Sequence, residues 1–123
     1  MKKKILIIED EKTLSFILAQ QLAEEGFEVL EAIDGEEGLQ KLKENKVDLI
    51  LLDLLLPGID GFEVLSIIKR NPELSQIPVI ILSNFGEKEK IEKGLKLGAV
   101  DYLVKAHFTL DEIIAKIKKF LPR

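Results

Sequence analysis

Leu49-Ile50-Leu51-Leu52-Asp53-Leu54-Leu55-Leu56-Pro57-Gly58 sets one carboxylate after four consecutive aliphatic residues and just before a Pro-Gly turn signal. Four apolar residues without alternation suit a central strand of a parallel sheet, because helices cover both of its faces. An aspartate closing such a run is not ordinary surface: an unpaired carboxylate there is costly and needs a reason to exist.

Working outward, Lys4 to Ile8, Phe27 to Glu31, Leu49 to Leu52, Val79 to Leu82 and Val100 to Val104 read as strands. The segments between them have helical period. Leu14, Ile17, Leu18 and Leu22 form one stripe, and Leu110, Ile113, Ile114 and Ile117 another, both read as core faces. Helix starts are marked by Asp34 with Glu37, Asp60 with Glu63, and Thr109 with Glu112, each a capping side chain three residues before an acid. Gly26 and Gly98 fit helix stops just before strands. This alternation predicts an α/β fold, a doubly wound five-stranded parallel sheet with helices on both faces. Five strand–helix units fill residues 1–123 without a linker, repeat or low-complexity tract, so one domain is expected.

Composition narrows the function. With no cysteine there is no disulfide framework, thiolate metal site or thiol nucleophile, which suits a reducing, cytoplasmic setting. Eighteen basic and 22 acidic residues leave a net charge of −4 with no long block of either sign, which argues against direct nucleic acid binding. No apolar run approaches the roughly 20 residues needed to cross a bilayer. Lys2, Lys3 and Lys4 are followed by only Ile5 to Ile8 before Glu9, Asp10 and Glu11, so neither an export signal nor a membrane partner is expected.

In open parallel sheets, ligands bind beyond the carboxyl ends of the strands, where the strand-to-helix loops emerge. The first strand leads there into Glu9 and Asp10, the third into Asp53, the fourth into Ser83 and the fifth into Lys105. Three acids converging at one edge repel one another unless a cation joins them. Oxygen ligands at an exposed edge favour Mg²⁺, which keeps several waters and commonly works beside phosphate. A lysine and a hydroxyl opposite the acids offer a bound phosphoryl group a positive charge and a hydrogen-bond donor.

These residues carry a resemblance along the whole chain. Ile7-Ile8-Glu9-Asp10, Leu52-Asp53-Leu54-Leu55-Leu56-Pro57-Gly58, Leu82-Ser83 and Tyr102-Leu103-Val104-Lys105 match, in order, the pattern of response-regulator receiver domains, and the chain resembles a single-domain receiver of the chemotaxis-regulator kind. The resemblance implies the flavodoxin-like strand order 2-1-3-4-5. It also implies a phosphorelay role in two-component signalling: Asp53 accepts a phosphoryl group from a histidine kinase or histidine phosphotransfer protein, forming an aspartyl phosphate. Asp10 and Asp53 then bind Mg²⁺, Glu9 helps through water, and the Leu55 backbone carbonyl completes the protein's ligands. Lys105 and Ser83 grip the phosphoryl oxygens. Ser83 and Tyr102 act as a switch that reshapes the face of the fourth helix, fifth strand and fifth helix for a downstream protein, by biasing two pre-existing states. Such a domain is no independent enzyme, since it catalyses only its own phosphorylation and dephosphorylation, and it is a monomer or a phosphorylation-dependent dimer.

The chain departs from the family pattern at three places. Ala106 follows Lys105 where receivers usually carry a proline with a cis peptide; a cis bond to a non-proline residue costs about 2.5–4 kcal/mol, so this loop is expected to be strained or trans. Asn84 replaces a small residue, and Phe85 stands at a position that helps control the access of water. Leu55, two residues after Asp53, is also apolar. Since hydrolysis of an acyl phosphate needs an oriented water, Leu55 and Phe85 together predict slow self-dephosphorylation.

Blander readings compete residue by residue. Single acids are usually solvated surface, Lys105 alone could be a snorkelling lysine, Ser83 a turn former and Tyr102 a core residue. Their joint placement at one sheet edge favours the site. His107 lacks a second histidine or a base that would make it a metal or phosphoryl carrier. Gly58 and Gly61 flank a turn, and Lys116, Lys118 and Lys119 form the wet face of the last helix. Two other functions fit the fold class: a phosphorylation-independent receiver-like binding module, and a flavin carrier. The second is opposed by Glu9, Asp10 and Glu11, which stand where a cofactor phosphate would bind.

Overall fold

The computed structural model describes residues 2–121. In chain order it contains β1 (Lys4–Ile8), α1 (Lys12–Glu24), β2 (Glu28–Ala32), α2 (Gly35–Glu44), β3 (Leu49–Leu52) and α3 (Gly61–Arg70). Then follow β4 (Val79–Ser83), α4 (Lys88–Lys96), β5 (Asp101–Val104), a 3₁₀ turn (Lys105–His107) and α5 (Leu110–Phe120). All five strands are parallel, in the order β2-β1-β3-β4-β5. The predicted flavodoxin-like α/β architecture is therefore the one observed.

The pleat divides the core in two. Along β1, Leu6 and Ile8 join one cluster with Leu52, Val64, Leu65 and Ile68, while Ile5 and Ile7 join another with Leu18, Leu22, Ile113 and Ile117. Successive side chains of a strand point to opposite faces, so β1, β3 and β4 are apolar on both and must be central. Helices α2, α3 and α4 cover one face and α1 and α5 the other.

Several boundaries moved for identifiable reasons. Phe27 lies just outside β2 because its N–H donates to the carbonyl of Leu22, closing the α1 terminus at Gly26, where φ is +96°. Val100 precedes β5, although its N–H still bonds the Val79 carbonyl, and β4 extends one residue further, to Ser83. The α1 stripe is narrower than expected: Leu18 and Leu22 are fully buried, but Ile17 is 40% exposed and Ser15 takes the core-facing position instead. The Ser15 hydroxyl donates to Glu31 at 2.7 Å, tying α1 to β2.

All three predicted caps form. Asp34, Asp60 and Thr109 each accept from the backbone N–H three residues on, at 2.8, 3.0 and 3.1 Å. Only Thr109 and Glu112 make the reciprocal box; Glu37 accepts from Ile33 N–H, and Glu63 turns to Arg70. The Lys105–Ala106 peptide is trans, as is every other described peptide bond. The segment after it winds into the 3₁₀ turn and leaves Ala106 and His107 exposed.

Candidate functional site

Register brings the expected residues together. Ile8 lies beside Leu52 in the β1–β3 pair, and Ser83 beside Val104 in the β4–β5 pair, so these strands end at a common edge. One more ladder bond on each side carries the order past the strands: Glu9 N–H donates to the Ala32 carbonyl at 2.9 Å, and Asp53 N–H to the Ile8 carbonyl at 3.0 Å. Both acids therefore have a main chain fixed by the sheet. Glu9 and Asp53 are buried, Asp10 is exposed, and carboxylate oxygens of the three lie within 4.8 Å of one another. An all-oxygen set of this kind suits a hard divalent cation.

Lys105 crosses the edge from the end of β5. Its ammonium lies 3.0 Å from Glu9 Oε1, 3.3 Å from Asp53 Oδ2 and 3.6 Å from Glu11 Oε1. Asp53 Oδ1 accepts from Leu55 N–H at 3.4 Å, and Glu9 Oε2 from Glu11 N–H at 3.0 Å. Leu55 itself is 62% exposed. Glu11 as a further partner of Lys105 escaped the sequence reading, because nothing in its spacing separates it from a solvated acid.

Ser83 is wholly buried, and its hydroxyl oxygen accepts from Phe85 N–H at 3.1 Å. Tyr102 points inward, its hydroxyl donating to the Phe85 carbonyl at 2.7 Å beside the Ser83 hydroxyl. Burial pushes the Tyr102 phenol up, with the Ser83 contact opposing.

The site carries unbalanced charge. Burial, and then the charge of Asp53, push Glu9 up to about 7, against the bonds from Glu11 N–H and Lys105. Burial alone would lower Lys105, but Glu9 and Asp53 outweigh it and hold it above its ordinary value. The Glu9 shift has a stability consequence. Between the ordinary value of 4.5 and about 7 the native state holds a proton that the unfolded chain has released. Stability therefore falls as pH rises through this window, by at most about 3 kcal/mol. Lys105, with a raised pKa, contributes stability that is lost only above its unfolded value, outside the window. Urea midpoints without metal are expected to drop between pH 5 and 7.5 in the wild type, and far less in Glu9→Gln. An equal drop in both would assign the effect elsewhere.

A family model described as the response regulator receiver domain matches residues 5–118. The chain belongs to this family. Receivers are the phosphorelay modules of two-component signalling, and this chain is one of them. The flavin-carrier reading falls with that finding, and the phosphorylation-independent reading is not favoured. The receiver is 40% identical over all 123 residues to the phosphate regulon transcriptional regulatory protein PhoB of Rhizobium meliloti, covering 54% of that protein. It is 36% identical to sporulation initiation phosphotransferase F of Bacillus subtilis, over 99% of this chain and 96% of that one. Among solved structures, a two-component response regulator from Clostridium difficile aligns with a TM-score of 0.91 and 32% identity, over 99% of this chain and 98% of that one. The receiver thus spans about half the length of PhoB but nearly all of phosphotransferase F. Its family consists of regulatory phosphoacceptor domains that work with histidine kinases or phosphotransfer proteins. No described helix is long and apolar enough to cross a membrane.

Proposed function

We propose that residues 1–123 act as one receiver that accepts a phosphoryl group on Asp53 from a phosphohistidine of a kinase or phosphotransfer protein. The observation that supports this most strongly is the position of Lys105, 3.0 Å from Glu9 and 3.3 Å from Asp53 within a cluster of three acids. In the reaction an Asp53 oxygen bonds to phosphorus as the P–N bond to the donor imidazole breaks, and the imidazole leaves with the electron pair. The product is an aspartyl phosphate; the chain modifies only itself and has no other substrate.

Mg²⁺ fits the donor set: Asp10, Asp53, Glu9 through water and the Leu55 carbonyl would hold it, and it would neutralise charge on the transferring group. Lys105 exchanges its contact with Asp53 Oδ2 for a phosphoryl oxygen. The Ser83 hydroxyl, whose oxygen accepts from Phe85 N–H, turns its proton to the phosphoryl group. Ser83 and Tyr102 thereby relay the state of Asp53 to the α4-β5-α5 face and a downstream protein. The setting is cytoplasmic, without direct contact to nucleic acid or membrane, and the receiver is a monomer or pairs on phosphorylation.

Incubation with acetyl phosphate and Mg²⁺ is expected to add one phosphoryl group by intact mass, and none without the metal. Absence of an adduct from both acetyl phosphate and a phosphohistidine donor would overturn the reading. With apolar Leu55 two residues after Asp53 and apolar Phe85 two residues after Ser83, removal of the donor should leave an adduct that decays slowly. Rapid loss in the presence of Mg²⁺ would show that these side chains do not keep the attacking water away.

A further inference from the structure

Helix α4 meets the sheet with little apolar surface. Of Lys88-Glu89-Lys90-Ile91-Glu92-Lys93-Gly94-Leu95-Lys96 only Gly94 is buried, and the N-cap Glu87 makes no side-chain cap bond. Gly94 lets the helix touch the sheet: a Cβ there would lie 2.6 Å from Ile81 Cδ1 and 3.1 Å from the Tyr102 ring.

The first two turns of α4 have another anchor. Lys90 Nζ lies 4.7 Å from the centre of the Phe85 ring and 6.0 Å from that of Phe62, and Lys93 Nζ lies 4.4 Å from Phe62. Phe62 belongs to the first turn of α3 and Phe85 to the loop between β4 and α4, so two ammonium groups join three elements. Neither lysine forms an ion pair among the described residues. Ammonium over an aromatic face is attracted by the ring quadrupole.

Phe85 is also the residue whose main chain touches the switch pair, its N–H donating to Ser83 Oγ and its carbonyl accepting from Tyr102. We propose that Lys90 and Lys93 are positioning residues for phosphoryl transfer to Asp53: Lys90, which spans Phe85 and Phe62, and Lys93, which holds the same helix to Phe62, fix the loop whose backbone orients the Ser83 hydroxyl. This rests on Asp53 being the acceptor. The lysines touch no carboxylate of the acidic cluster, so they act on the orientation of Ser83 and leave metal binding alone.

The test measures the maximal rate of adduct formation from acetyl phosphate and the Mg²⁺ concentration giving half that rate. An exposed cation–π contact shifts an equilibrium by a factor of about two to five. Lys90→Gln should lower the maximal rate by that factor, and Lys90→Gln with Lys93→Gln by about four to twenty-five, with the half-saturating Mg²⁺ concentration unchanged. Lys90→Arg should restore the rate, because a guanidinium also sits over aromatic rings. Lys96→Gln, an exposed charge removed from the same helix, should not change it. Amide hydrogen exchange at Phe85 and in the first turn of α4 should quicken in the glutamine variants and not in Lys90→Arg. The proposal is overturned by a wild-type maximal rate in the double variant, by an equal loss in Lys96→Gln, or by failure of Lys90→Arg to restore the rate. A wild-type chain that takes no phosphoryl group would remove the acceptor reading and this proposal together, whereas an active wild type with insensitive lysine variants would remove only the latter.

Discussion

Asp53→Asn is expected to form no adduct under conditions that load the wild type with one phosphoryl group, while folding at least as stably. The amide is close in shape, so the contacts that place position 53 survive: its N–H still bonds the Ile8 carbonyl, and its side-chain oxygen can still accept from Leu55 N–H. What disappears is the charged oxygen proposed to bond to phosphorus, because an amide is a poor nucleophile whose lone pair is delocalised. Lys105 loses the charge of one partner and keeps those of Glu9 at 3.0 Å and Glu11 at 3.6 Å. Glu9 loses the Asp53 charge that helped push it up to about 7, but burial, the larger cause, remains, so its pKa falls only part of the way. Relieving repulsion between neighbouring acids without leaving Lys105 unpaired should stabilise the metal-free protein at pH 8 by on the order of 1 kcal/mol. Intact mass and urea midpoints on the two proteins check both halves. An adduct persisting in Asp53→Asn would move the acceptor to Glu9 or Asp10, and lower stability would mean that Asp53 pairs with Lys105 more than it repels Glu9.

Much of this was legible in the residues, and the illegible remainder has a common cause. The unbroken apolar runs of β1, β3 and β4 announce a parallel sheet, and the ends of such strands announce where chemistry gathers, so Glu9, Asp10, Asp53, Ser83 and Lys105 could be named together. Side-chain direction was less accessible. Ile17 satisfies the helical spacing of the α1 stripe, yet it sits toward the edge of the buried arc, where Ser15 takes the core side and bonds Glu31. Glu11 adjoins two site acids, but its approach to Lys105 depends on the path of the chain after β1. The Lys90 and Lys93 contacts to Phe62 and Phe85 need the spatial meeting of α3, α4 and a loop, which no local periodicity encodes. Glycines are the extreme case, since what they contribute is the space that their missing side chain leaves to a distant segment.

Gly61→Ala shows how large that contribution is expected to be. Gly61 opens α3 and follows its cap Asp60, and its N–H donates to the Leu54 carbonyl at 2.9 Å. It is absent from the positive-φ glycines, so alanine meets no backbone strain there, and helix propensity alone would favour alanine by about 1 kcal/mol. Space opposes the change. A Cβ at this position would lie 2.4 Å from the Asp53 carbonyl oxygen and 2.5 Å from Leu54 Cα, and both neighbours are main chain that no rotamer change can move aside. Relief requires α3 to withdraw from the sheet or the Asp53–Leu54 peptide to shift. Overpacking of this kind costs about 1–3 kcal/mol, and with both close contacts to main chain the upper end applies, so a net loss of roughly 2 kcal/mol is expected after the propensity gain. At a few degrees per kcal/mol for a domain of this size, the melting temperature should fall by roughly 5–10 °C. The second effect follows from where the strain lands. Displacing the main chain of Asp53 moves its carboxylate relative to Lys105 and the other acids, and a misplacement of about 1 Å at a reacting centre can lower a rate on the order of 100-fold. Gly86→Ala is the matched control, because a Cβ there meets only the Val104 side chain, at 3.6 Å and beyond, and it should alter neither quantity appreciably. Melting temperature and adduct rate falling together in Gly61→Ala, against wild-type values in Gly86→Ala, would establish that the start of α3 holds the acceptor in place. Matching behaviour of the two variants would mean that the Asp53–Leu54 segment gives way freely, and that the site is fixed from β1 and β3 alone.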